Sequence, residues 1–145
     1  MISTFAGQLR DVNIAKGNLR SAPLMYLEPS LAHVSKMPQS SFDQIIEKYV
    51  EMNIAHPFLE GNGRATRIWS DLILKKEIER VVDRNAADKS DYLSAMARSI
   101  VKDIEIKHLL QHALTDQINV RAVFMKGIDV SYHHEGYSEF KIEDV

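Results

Sequence analysis

The stretch Gly61-Asn62-Gly63 constrains the fold more than any other feature, because it separates two segments with helical periodicity. Upstream of it, Ser40 and Asp43 stand three residues apart as a capping box, so a helix is predicted from Ser40. This helix should end near His56, since the following proline disfavours the αR conformation in the residue before it. A second helix begins after the glycines, and the segment is therefore predicted as helix, sharp turn, helix. The apolar face of the first helix consists of Phe42, Ile45, Ile46, Tyr49 and Val50.

Helical periodicity continues towards the end of the chain. Asp88 or Ser90 can cap a third helix, and a fourth follows it. Asn119 can cap a last helix, which ends before Gly136. The apolar faces predicted for these later helices are Ile68, Trp69, Leu72 and Ile73 in the second, Tyr92, Leu93, Met96, Ala97 and Ile100 in the third, Ile106, Leu109, Leu110, Ala113 and Leu114 in the fourth, and Val120, Val123, Phe124 and Ile128 in the last. Every element after residue 40 is thus expected to be a helix or a short loop.

The first forty residues differ, because glycines and prolines interrupt any helical pattern there. Apolar residues in this part favour a short β-hairpin instead. They are Val12, Ile14, Leu19, Leu24 and Tyr26. No repeat, low-complexity tract or linker divides the chain. We therefore predict a single domain over residues 1–145, mostly α, built as a compact helical bundle with a small hairpin near the N-terminus.

The charge and composition exclude several functional classes. Lys and Arg number 18 against 20 Asp and Glu, a net charge of −2, so no positive surface for a nucleic-acid backbone is expected. The chain has no cysteine, which excludes a disulfide scaffold, a thiolate zinc site and a cysteine nucleophile. No apolar run approaches the roughly 18 residues that a membrane span requires, and the start of the sequence lacks a secretion signal. We expect a cytoplasmic protein that binds neither nucleic acid nor membrane.

Residues 56–67 combine the groups that bind a polyphosphate. Gly61 and Gly63 permit positive φ and place no side chain between backbone and ligand, so successive N–H groups can converge. The N-terminus of the following helix adds further N–H groups and the positive end of its dipole. Arg64 and Arg67 lie three residues apart and supply bidentate donors to further phosphate oxygens.

Two more side chains in this stretch are suited to catalysis. Glu60 would be repelled by a phosphate unless a divalent cation lay between them, and Mg²⁺ fits that position. His56 carries an imidazole, whose ordinary pKa of about 6.5 suits a general base at neutral pH. The stretch has no covalent nucleophile, which favours direct attack by an external hydroxyl on a bound nucleotide. Taken alone, however, a single histidine is more often structural, and Arg67 could serve only a structural ion pair.

The same stretch resembles the signature of the Fic family, H-P-F-x-[D/E]-G-N-G-R-x-x-R. It reads His56-Pro57-Phe58-Leu59-Glu60-Gly61-Asn62-Gly63-Arg64-Ala65-Thr66-Arg67, so every constrained position is filled, with Glu60 where many relatives carry Asp. Fic proteins move AMP from ATP onto hydroxyl side chains of target proteins. The resemblance therefore implies a Fic-type bundle acting as a protein adenylyltransferase on Tyr, Ser or Thr, with ATP as substrate and Mg²⁺ as cofactor.

Each motif residue takes a role by this resemblance. His56 deprotonates the target hydroxyl, Phe58 packs the motif against the core, and Glu60 holds the Mg²⁺ that is bound to the α- and β-phosphates. The phosphate ligands implied are Gly61, Asn62 and Gly63 for the α-phosphate, Arg64 for the β-phosphate and Arg67 for the γ-phosphate.

The resemblance extends upstream to Phe5-Ala6-Gly7-Gln8-Leu9-Arg10, which is similar to a block that precedes the family's flap. The flap is a hairpin over the active site that pairs with the main chain of the target as an added strand. It is expected at about residues 13–26, and its docking residues are Lys16, Gly17, Asn18, Leu19 and Arg20. Small bacterial Fic relatives modify type II topoisomerases, so the resemblance suggests a type II topoisomerase subunit, such as gyrase B, as a target. They carry at least one more helix before this block, whereas here Met1 stands four residues ahead of Phe5.

A second motif, Ser131-Tyr132-His133-His134-Glu135-Gly136, matches the S/T-x-x-x-E-G/N pattern by which some Fic proteins inhibit themselves. Its position resembles that of the small bacterial class III, with a C-terminal inhibitory helix at about residues 119–136. By this resemblance Glu135 pairs with Arg67 and occupies the donor that the γ-phosphate needs. Relatives in this class assemble, so a homo-oligomer that holds this helix in place is also implied.

Several alternatives stay open at this point. Tyr132 and Tyr137 flank the inhibitory glutamate and are candidates for self-modification, or else they pack or face water. His108 and His112 have a spacing that could seat a metal, but without a third ligand they are expected to be surface residues. A non-catalytic nucleotide-binding regulator would use the same turn and arginines and would not need His56. A Fic relative that transfers UMP, phosphocholine or another phosphate-containing group would share the motif.

Overall fold

The computed structural model describes residues 8–13, 15–16, 19–20, 23–58 and 61–119. This part of the chain contains the helices α1 (Leu27–Lys36), α2 (Phe42–Ala55), α3 (Asn62–Ile78), α4 (Lys89–Ser99) and α5 (Ile104–His112). It also contains the short strands β1 (Ala15–Lys16), β2 (Leu19–Arg20), β3 (Val81–Val82) and β4 (Leu114–Thr115). The mostly α fold expected from the sequence is confirmed. The last predicted helix, after Asn119, lies outside the described residues.

Helix α2 lies at the centre of the bundle, in contact with α1, α3 and α5, while α4 packs against α5. The predicted apolar face of α2 is confirmed. Its buried members are Ile45, Ile46, Tyr49 and Val50, and Phe42 packs partly buried against them. Leu74 of α3, Tyr92 of α4 and Leu110 of α5 meet this face in one core cluster. Burial of this apolar surface is the main favourable term in folding, and it holds the end of α2 and the start of α3 in place.

The N-cap of helix α2 lies one residue later than predicted. Ser41 is its N-cap residue, and the Ser41 hydroxyl accepts a hydrogen bond from the Gln44 N–H at 3.3 Å. Gln44 Oε1 accepts hydrogen bonds from the N–H and the hydroxyl of Ser40, at 2.9 and 2.8 Å. The predicted capping box of Ser40 and Asp43 is therefore wrong. The physical reason is that the glutamine three residues after Ser41 supplies both a backbone donor and a side-chain acceptor at this helix end.

The inward face of α3 is mostly polar, and the apolar face predicted for this helix is wrong in part: Ile73 packs against the core cluster, but Ile68 and Leu72 do not lie inward. Ile68 is 42% exposed and Leu72 is 56% exposed, while Trp69 and Ile73 are half-buried. The buried residues of α3 are Asn62, Thr66, Arg67, Ser70, Asp71 and Leu74. This helix turns hydrogen-bonding groups inward, where neighbouring elements supply partners for them, so hydrophobic periodicity misplaced Ile68 and Leu72.

Helix α4 begins at the predicted cap, where the Asp88 carboxylate accepts a hydrogen bond from the Asp91 N–H at 3.1 Å. The predicted face is only partly buried. The buried residues are Tyr92, Ala95, Met96 and Ser99, whereas Leu93, Ala97 and Ile100 are exposed. The observed stripe contains a small alanine and a serine, which a search for large apolar residues passes over. In α5, burial of Ile106 and Leu110 confirms the predicted face.

The sequence predicted no helix before residue 40 and no strand after it, and both predictions are wrong. Helix α1 carries Pro29 in its first turn, where a missing backbone N–H removes no helical hydrogen bond. Strands β3 and β4 pair antiparallel, with Val81 opposite Thr115 and Val82 opposite Leu114. Strands of two residues are too short to show the alternation by which a strand is recognised.

The N-terminal hairpin is present among the described residues, but two residues expected in it, Leu24 and Tyr26, do not belong to its strands. Strands β1 and β2 pair antiparallel, with Lys16 opposite Leu19. Leu24 and Tyr26 instead bound a 3₁₀ turn that follows Pro23. Proline cannot donate a hydrogen bond to a strand ladder, which explains why pairing does not extend to these residues. None of the helices in the described ranges combines the length and the apolar character needed to cross a membrane.

We expect Ser41→Ala to lower the free energy of unfolding by about 1 kcal/mol, because the Gln44 N–H loses its acceptor. Ser40→Ala removes an exposed hydroxyl and leaves the N-cap intact, so it should change stability by less than about 0.5 kcal/mol. Urea denaturation of the parent and both variants measures the difference. If Ser40→Ala lost as much unfolding free energy as Ser41→Ala, or more, Ser40 would be the N-cap residue instead.

Candidate active site

Helix α2 ends at the histidine singled out in the sequence. His56 is the C-cap residue, and its N–H donates to the Met52 carbonyl at 3.1 Å. Its φ of 51° and ψ of 62° lie in the left-handed region, which residues other than glycine adopt at a steric cost. Pro57 follows and disfavours the helical conformation at His56. The predicted end of α2 near His56 is confirmed. His56 is half-buried, and the backbone leaves the helix at this residue.

A buried arginine from the N-terminal segment covers this helix end. Arg10 is 4% exposed, and its guanidinium donates from Nε to the His56 carbonyl at 2.7 Å and from Nη2 to the Ala55 carbonyl at 3.1 Å. Its Nη1 donates to the Val12 carbonyl at 2.8 Å, and its backbone N–H donates to the Pro57 carbonyl at 2.8 Å. Arg10 therefore joins the segment before the hairpin to the end of α2.

The loop between α2 and α3 is closed by the buried side chain of Asn62. Asn62 Oδ1 accepts a hydrogen bond from the Phe58 N–H at 2.8 Å, and Nδ2 donates to the Phe58 carbonyl at 2.6 Å. Both backbone groups of Phe58 are thereby satisfied, and Phe58 is held against the start of α3. The Phe58 side chain is half-buried. The contact of Asn62 with an α-phosphate stays a prediction.

The backbone at the N-cap position of α3 favours a glycine. Gly61 has φ 77° and ψ 12°, in the left-handed region. A Cβ atom at Gly61 would lie 3.0 Å from Nη2 of Arg64, so a side chain there would push the guanidinium away. The Arg64 guanidinium therefore lies over Gly61, the N-cap residue of α3. Gly63 is half-buried in the same turn, and the turn brings together backbone donors, a helix N-terminus and a cation.

Arg67 lies one turn further along α3 and is 6% exposed. Its Nε donates to the Tyr92 hydroxyl at 3.1 Å, and its Cζ lies 5.0 Å from the centroid of the Tyr92 ring, a cation–π distance. The Tyr92 hydroxyl also hydrogen-bonds to the hydroxyl of Tyr49. These contacts link α3 to α4 and α2. Of the two arginines predicted to bind phosphate, Arg64 is half-buried at the turn and Arg67 is anchored in the interior.

A second buried arginine lies close to this group. Arg84 is 3% exposed, and its Nη1 and Nη2 have no hydrogen-bond partner within the part of the chain that the structure describes. Its Nη2 lies 3.7 Å from Oδ1 of Asp71. Burial raises the pKa of Asp71, and the charge of Arg84 and a hydrogen bond from the Val82 N–H offset part of that shift. Among the described residues, Arg67, Arg84 and Asp71 therefore place two guanidinium groups and a carboxyl group in the interior beside α3.

The two guanidinium groups act on the tyrosine pair. Burial by itself would raise the pKa of Tyr92, but the charges of Arg67 and Arg84 outweigh it and lower that pKa below its ordinary value. Burial raises the pKa of Tyr49, and the neighbouring Tyr92 raises it further. Negative charge in the pair is thus favoured on Tyr92, the tyrosine that Arg67 contacts.

Several predicted site residues lie outside the described part of the chain. They are Gly17, Asn18, Glu60, Ser131, Tyr132, Glu135, Gly136 and Tyr137. For Lys16, Leu19 and Arg20 the structure describes the backbone alone, in β1 and β2. The magnesium ligand, the inhibitory contact and the docking role of the hairpin therefore stay predictions.

The histidine pair on α5 is exposed, as predicted. Nδ1 of His112 lies 2.9 Å from the His108 carbonyl oxygen, and the two rings are 4.2 Å apart between centroids. Across the described ranges, no group of three or more His, Cys, Asp or Glu side chains is placed to hold a metal ion.

Sequence reasoning missed the side chains that hold the motif. Arg10 belongs to the block that resembles the segment before a flap, but nothing in its spacing indicated a contact with the end of α2. Tyr92 was expected in the core, whereas the role of its hydroxyl follows only from its contact with Arg67, which is distant in the sequence. One signal was present: Asn62, Thr66 and Ser70 recur at helical spacing, which indicates a polar face on α3.

The lowered pKa of Tyr92 predicts a pH dependence of stability. Between the folded pKa of Tyr92 and its ordinary value of 10.0, the unfolded chain binds the phenolic proton and the folded chain does not, so the free energy of unfolding rises with pH. Tyr92→Phe keeps the ring but should abolish this rise, and should lower stability by about 1–3 kcal/mol because Arg67 loses this acceptor.

Urea denaturation across this pH window, with tyrosinate absorbance as a second readout, tests the prediction. Tyr26→Phe removes an exposed hydroxyl and is the matched control, for which the rise should persist. A stability curve of Tyr92→Phe parallel to that of the parent would contradict the assignment.

The sequence matches a known protein family and one of its members. A sequence profile of the Fic/DOC family matches residues 1–74, which include the hairpin, α2 and the turn that leads into α3. Protein adenylyltransferase VbhT of Bartonella schoenbuchensis is 26% identical over 158 residues, an alignment that covers 92% of this chain and 33% of VbhT. The chain therefore spans about a third of the length of that relative.

A solved structure shares the fold. The crystal structure of BepC protein, a VirB-translocated Bartonella effector protein with bound AMPPNP from Bartonella tribocorum, superposes with a TM-score of 0.63 at 16% identity. The superposition covers 74% of this chain and 58% of that chain. Since the family profile also matches half of the chain and includes the whole glycine turn, this protein belongs to the Fic/DOC family.

Proposed function

We propose that the protein is a protein adenylyltransferase that transfers AMP from ATP to a Tyr, Ser or Thr hydroxyl of a target protein. The observation that carries the proposal is the turn at Gly61, where left-handed glycine, the N-terminus of α3 and the Arg64 guanidinium come together a few residues after His56. Membership of the Fic/DOC family supports it. The adenylyltransferase VbhT supports it as a relative, and the AMPPNP bound to BepC supports ATP as the substrate.

In the proposed reaction, His56 takes the proton of the target hydroxyl as a general base. The hydroxyl oxygen attacks the α-phosphorus of ATP, a new O–P bond forms, and the bond to the β-phosphate oxygen breaks, so that pyrophosphate leaves. The N–H groups at Gly61, Asn62 and Gly63 would stabilise charge on the α-phosphate, because they are fixed before the substrate arrives. Mg²⁺, when held by Glu60, would neutralise charge on the α- and β-phosphates.

The two arginines would contribute differently. Arg64 lies over the turn and is proposed to bind the β-phosphate. Arg67 is proposed to bind the γ-phosphate, and its guanidinium already contacts Tyr92, through the Nε hydrogen bond to the hydroxyl and the cation–π contact with the ring. A guanidinium held in this way would lose little conformational entropy on binding, which favours a defined pose of the triphosphate.

Regulation and targeting form the second part of the proposal. Glu135, with Ser131 and Gly136 in the same inhibitory motif, would compete with the γ-phosphate for Arg67, and a homo-oligomer would hold the inhibitory helix in place. The hairpin of β1 and β2 would add a strand of the target to its edge. A gyrase B subunit is the proposed target, in the cytoplasm. Tyr132 and Tyr137 would be modified in the active protein once the inhibitory helix unwinds.

We expect His56→Ala to lower AMP transfer by about 100-fold or more, since a general base contributes at least that much. His56→Asn removes the base with a residue that tolerates left-handed backbone, so it should lose the same activity without added strain. The readout is label incorporated into protein from ATP labelled at the α-phosphate. His108→Ala removes an exposed histidine and is the control.

The result also separates the proposal from its alternatives. Binding of ATP without transfer to any protein, in the parent and in the Glu135→Gly variant, would favour a nucleotide-binding regulator. Incorporation of label from UTP or GTP in preference to ATP would favour transfer of another group.

We expect Glu135→Gly to raise AMP transfer at least about tenfold, because Arg67 is then available to the γ-phosphate. A tenfold change corresponds to about 1.4 kcal/mol of differential binding, which is within the range of a partly buried ion pair. The assay is labelling in a bacterial lysate from α-labelled ATP, followed by identification of the labelled bands. Glu139→Gly, another acidic residue in the same C-terminal part of the chain, is the control. Equal rates for Glu135→Gly and the parent would remove the inhibitory role.

A further inference from the structure

The C-terminal end of α2 presents a local problem that the helix cannot solve by itself. Its last carbonyl groups have no N–H donor from a following turn, and they carry the negative end of the helix dipole. At this same end His56 is held at φ 51°. Left-handed backbone at a residue other than glycine persists only where the surroundings impose it.

Arg10 meets these requirements with one side chain and one backbone group. Its guanidinium donates to the carbonyls of Ala55 and His56, and its N–H donates to the carbonyl of Pro57, so three consecutive carbonyls accept from one residue. The planar fork of a guanidinium fixes direction as well as distance when it makes two such bonds. Because Arg10 is 4% exposed, water competes little for these acceptors.

The same guanidinium also reaches the base of the hairpin. Nη1 of Arg10 donates to the Val12 carbonyl at 2.8 Å, and β1 begins at Ala15, three residues further along the chain. One side chain therefore bonds to the backbone that carries the imidazole and to the backbone that leads into the hairpin. A shift of either segment would break at least one of these bonds.

We propose that Arg10 is a positioning residue for the transfer reaction. It holds the left-handed backbone of His56, and it fixes the position of His56 relative to the segment that leads into the target-docking hairpin. The inference rests on the proposed function, since it assigns Arg10 to the placement of the general base relative to the incoming hydroxyl. The carbonyls that Arg10 binds lie on the α2 side of the turn, whereas the proposed phosphate ligands lie on the α3 side. Loss of Arg10 should therefore affect the chemical step more than nucleotide binding.

Two variants test this in the Glu135→Gly background, where transfer is expected to be measurable. Arg10→Lys keeps a positive charge and loses the fork, and Arg10→Gln loses both. We expect kcat to fall on the order of 100-fold in both, the loss typical of a reacting group displaced by about 1 Å. The Kd of a non-hydrolysable ATP analogue should stay within about twofold of the background value, because that binding does not depend on the base. Arg98→Gln, which removes an exposed arginine bonded to Glu105, is the matched control.

The rate is expressed per nucleotide-binding site, counted by titration with the same analogue. A purely structural role would lower the number of binding sites and leave the rate per site unchanged. That result would overturn the proposal, and so would full activity of Arg10→Lys, because charge without the fork would then suffice.

A measurement on the unsubstituted protein keeps the proposal falsifiable if the variants do not fold. In nuclear magnetic resonance spectra, the Arg10 Nε–H should exchange slowly with water and show an Overhauser contact to the Hα of His56, whereas the Nε–H of exposed Arg80 should exchange fast. Fast exchange at Arg10 in an active enzyme would overturn the positioning role alone. Slow exchange in a protein that labels no target would overturn the proposed function and leave the contact between Arg10 and His56 standing.

Discussion

The reversal of the chain between α2 and α3 depends on two residues in left-handed backbone conformation, His56 and Gly61. Glycine adopts this conformation without a steric cost, whereas histidine needs support from its surroundings. The support comes from Arg10, which bonds to the His56 carbonyl and to the carbonyls on either side. Because the chain turns so sharply, the imidazole and the N-terminal N–H groups of α3 belong to one short loop, which is the condition for a base and an anion site to act together.

The buried polar face of α3 is the second constraint. Buried charges cost free energy unless they are paired and hydrogen-bonded. Here Arg67 is bonded to Tyr92, which is bonded to Tyr49, and Arg84 lies beside Asp71. An apolar face on α3 could be buried at a smaller free-energy cost, because no charged group would have to leave water. The polar face instead fixes the orientation of Arg67 through its contact with Tyr92. The charges of Arg67 and Arg84 lower the pKa of Tyr92, so Tyr92 loses its proton more readily than Tyr49.

Prediction from sequence succeeded where one chemical property dominated a segment. The inward face of α2 is uniformly apolar, so its period located Ile45, Ile46, Tyr49 and Val50 in the core. The period failed on α3, because the exposed Ile68 and Leu72 are more apolar than the buried Thr66 and Ser70. Residue type alone also placed the N-cap of α2 one residue too early. Ser40 and Ser41 are equally suited to the position, and only the hydrogen bonds of Gln44 distinguish them.

The order of residues along 56–67 by itself determined that a histidine, a carboxylate, a glycine turn and two arginines would follow one another within twelve residues, from the end of one helix into the first turns of the next. It also determined that the segments before and after the loop are helical, through the spacing of their apolar and polar residues. Only the tertiary structure decided what holds that loop: Arg10 comes from 46 residues away in the chain and Tyr92 lies 25 residues from Arg67. Contacts between such distant residues depend on how the helices pack, and no periodicity within a single segment carries that information.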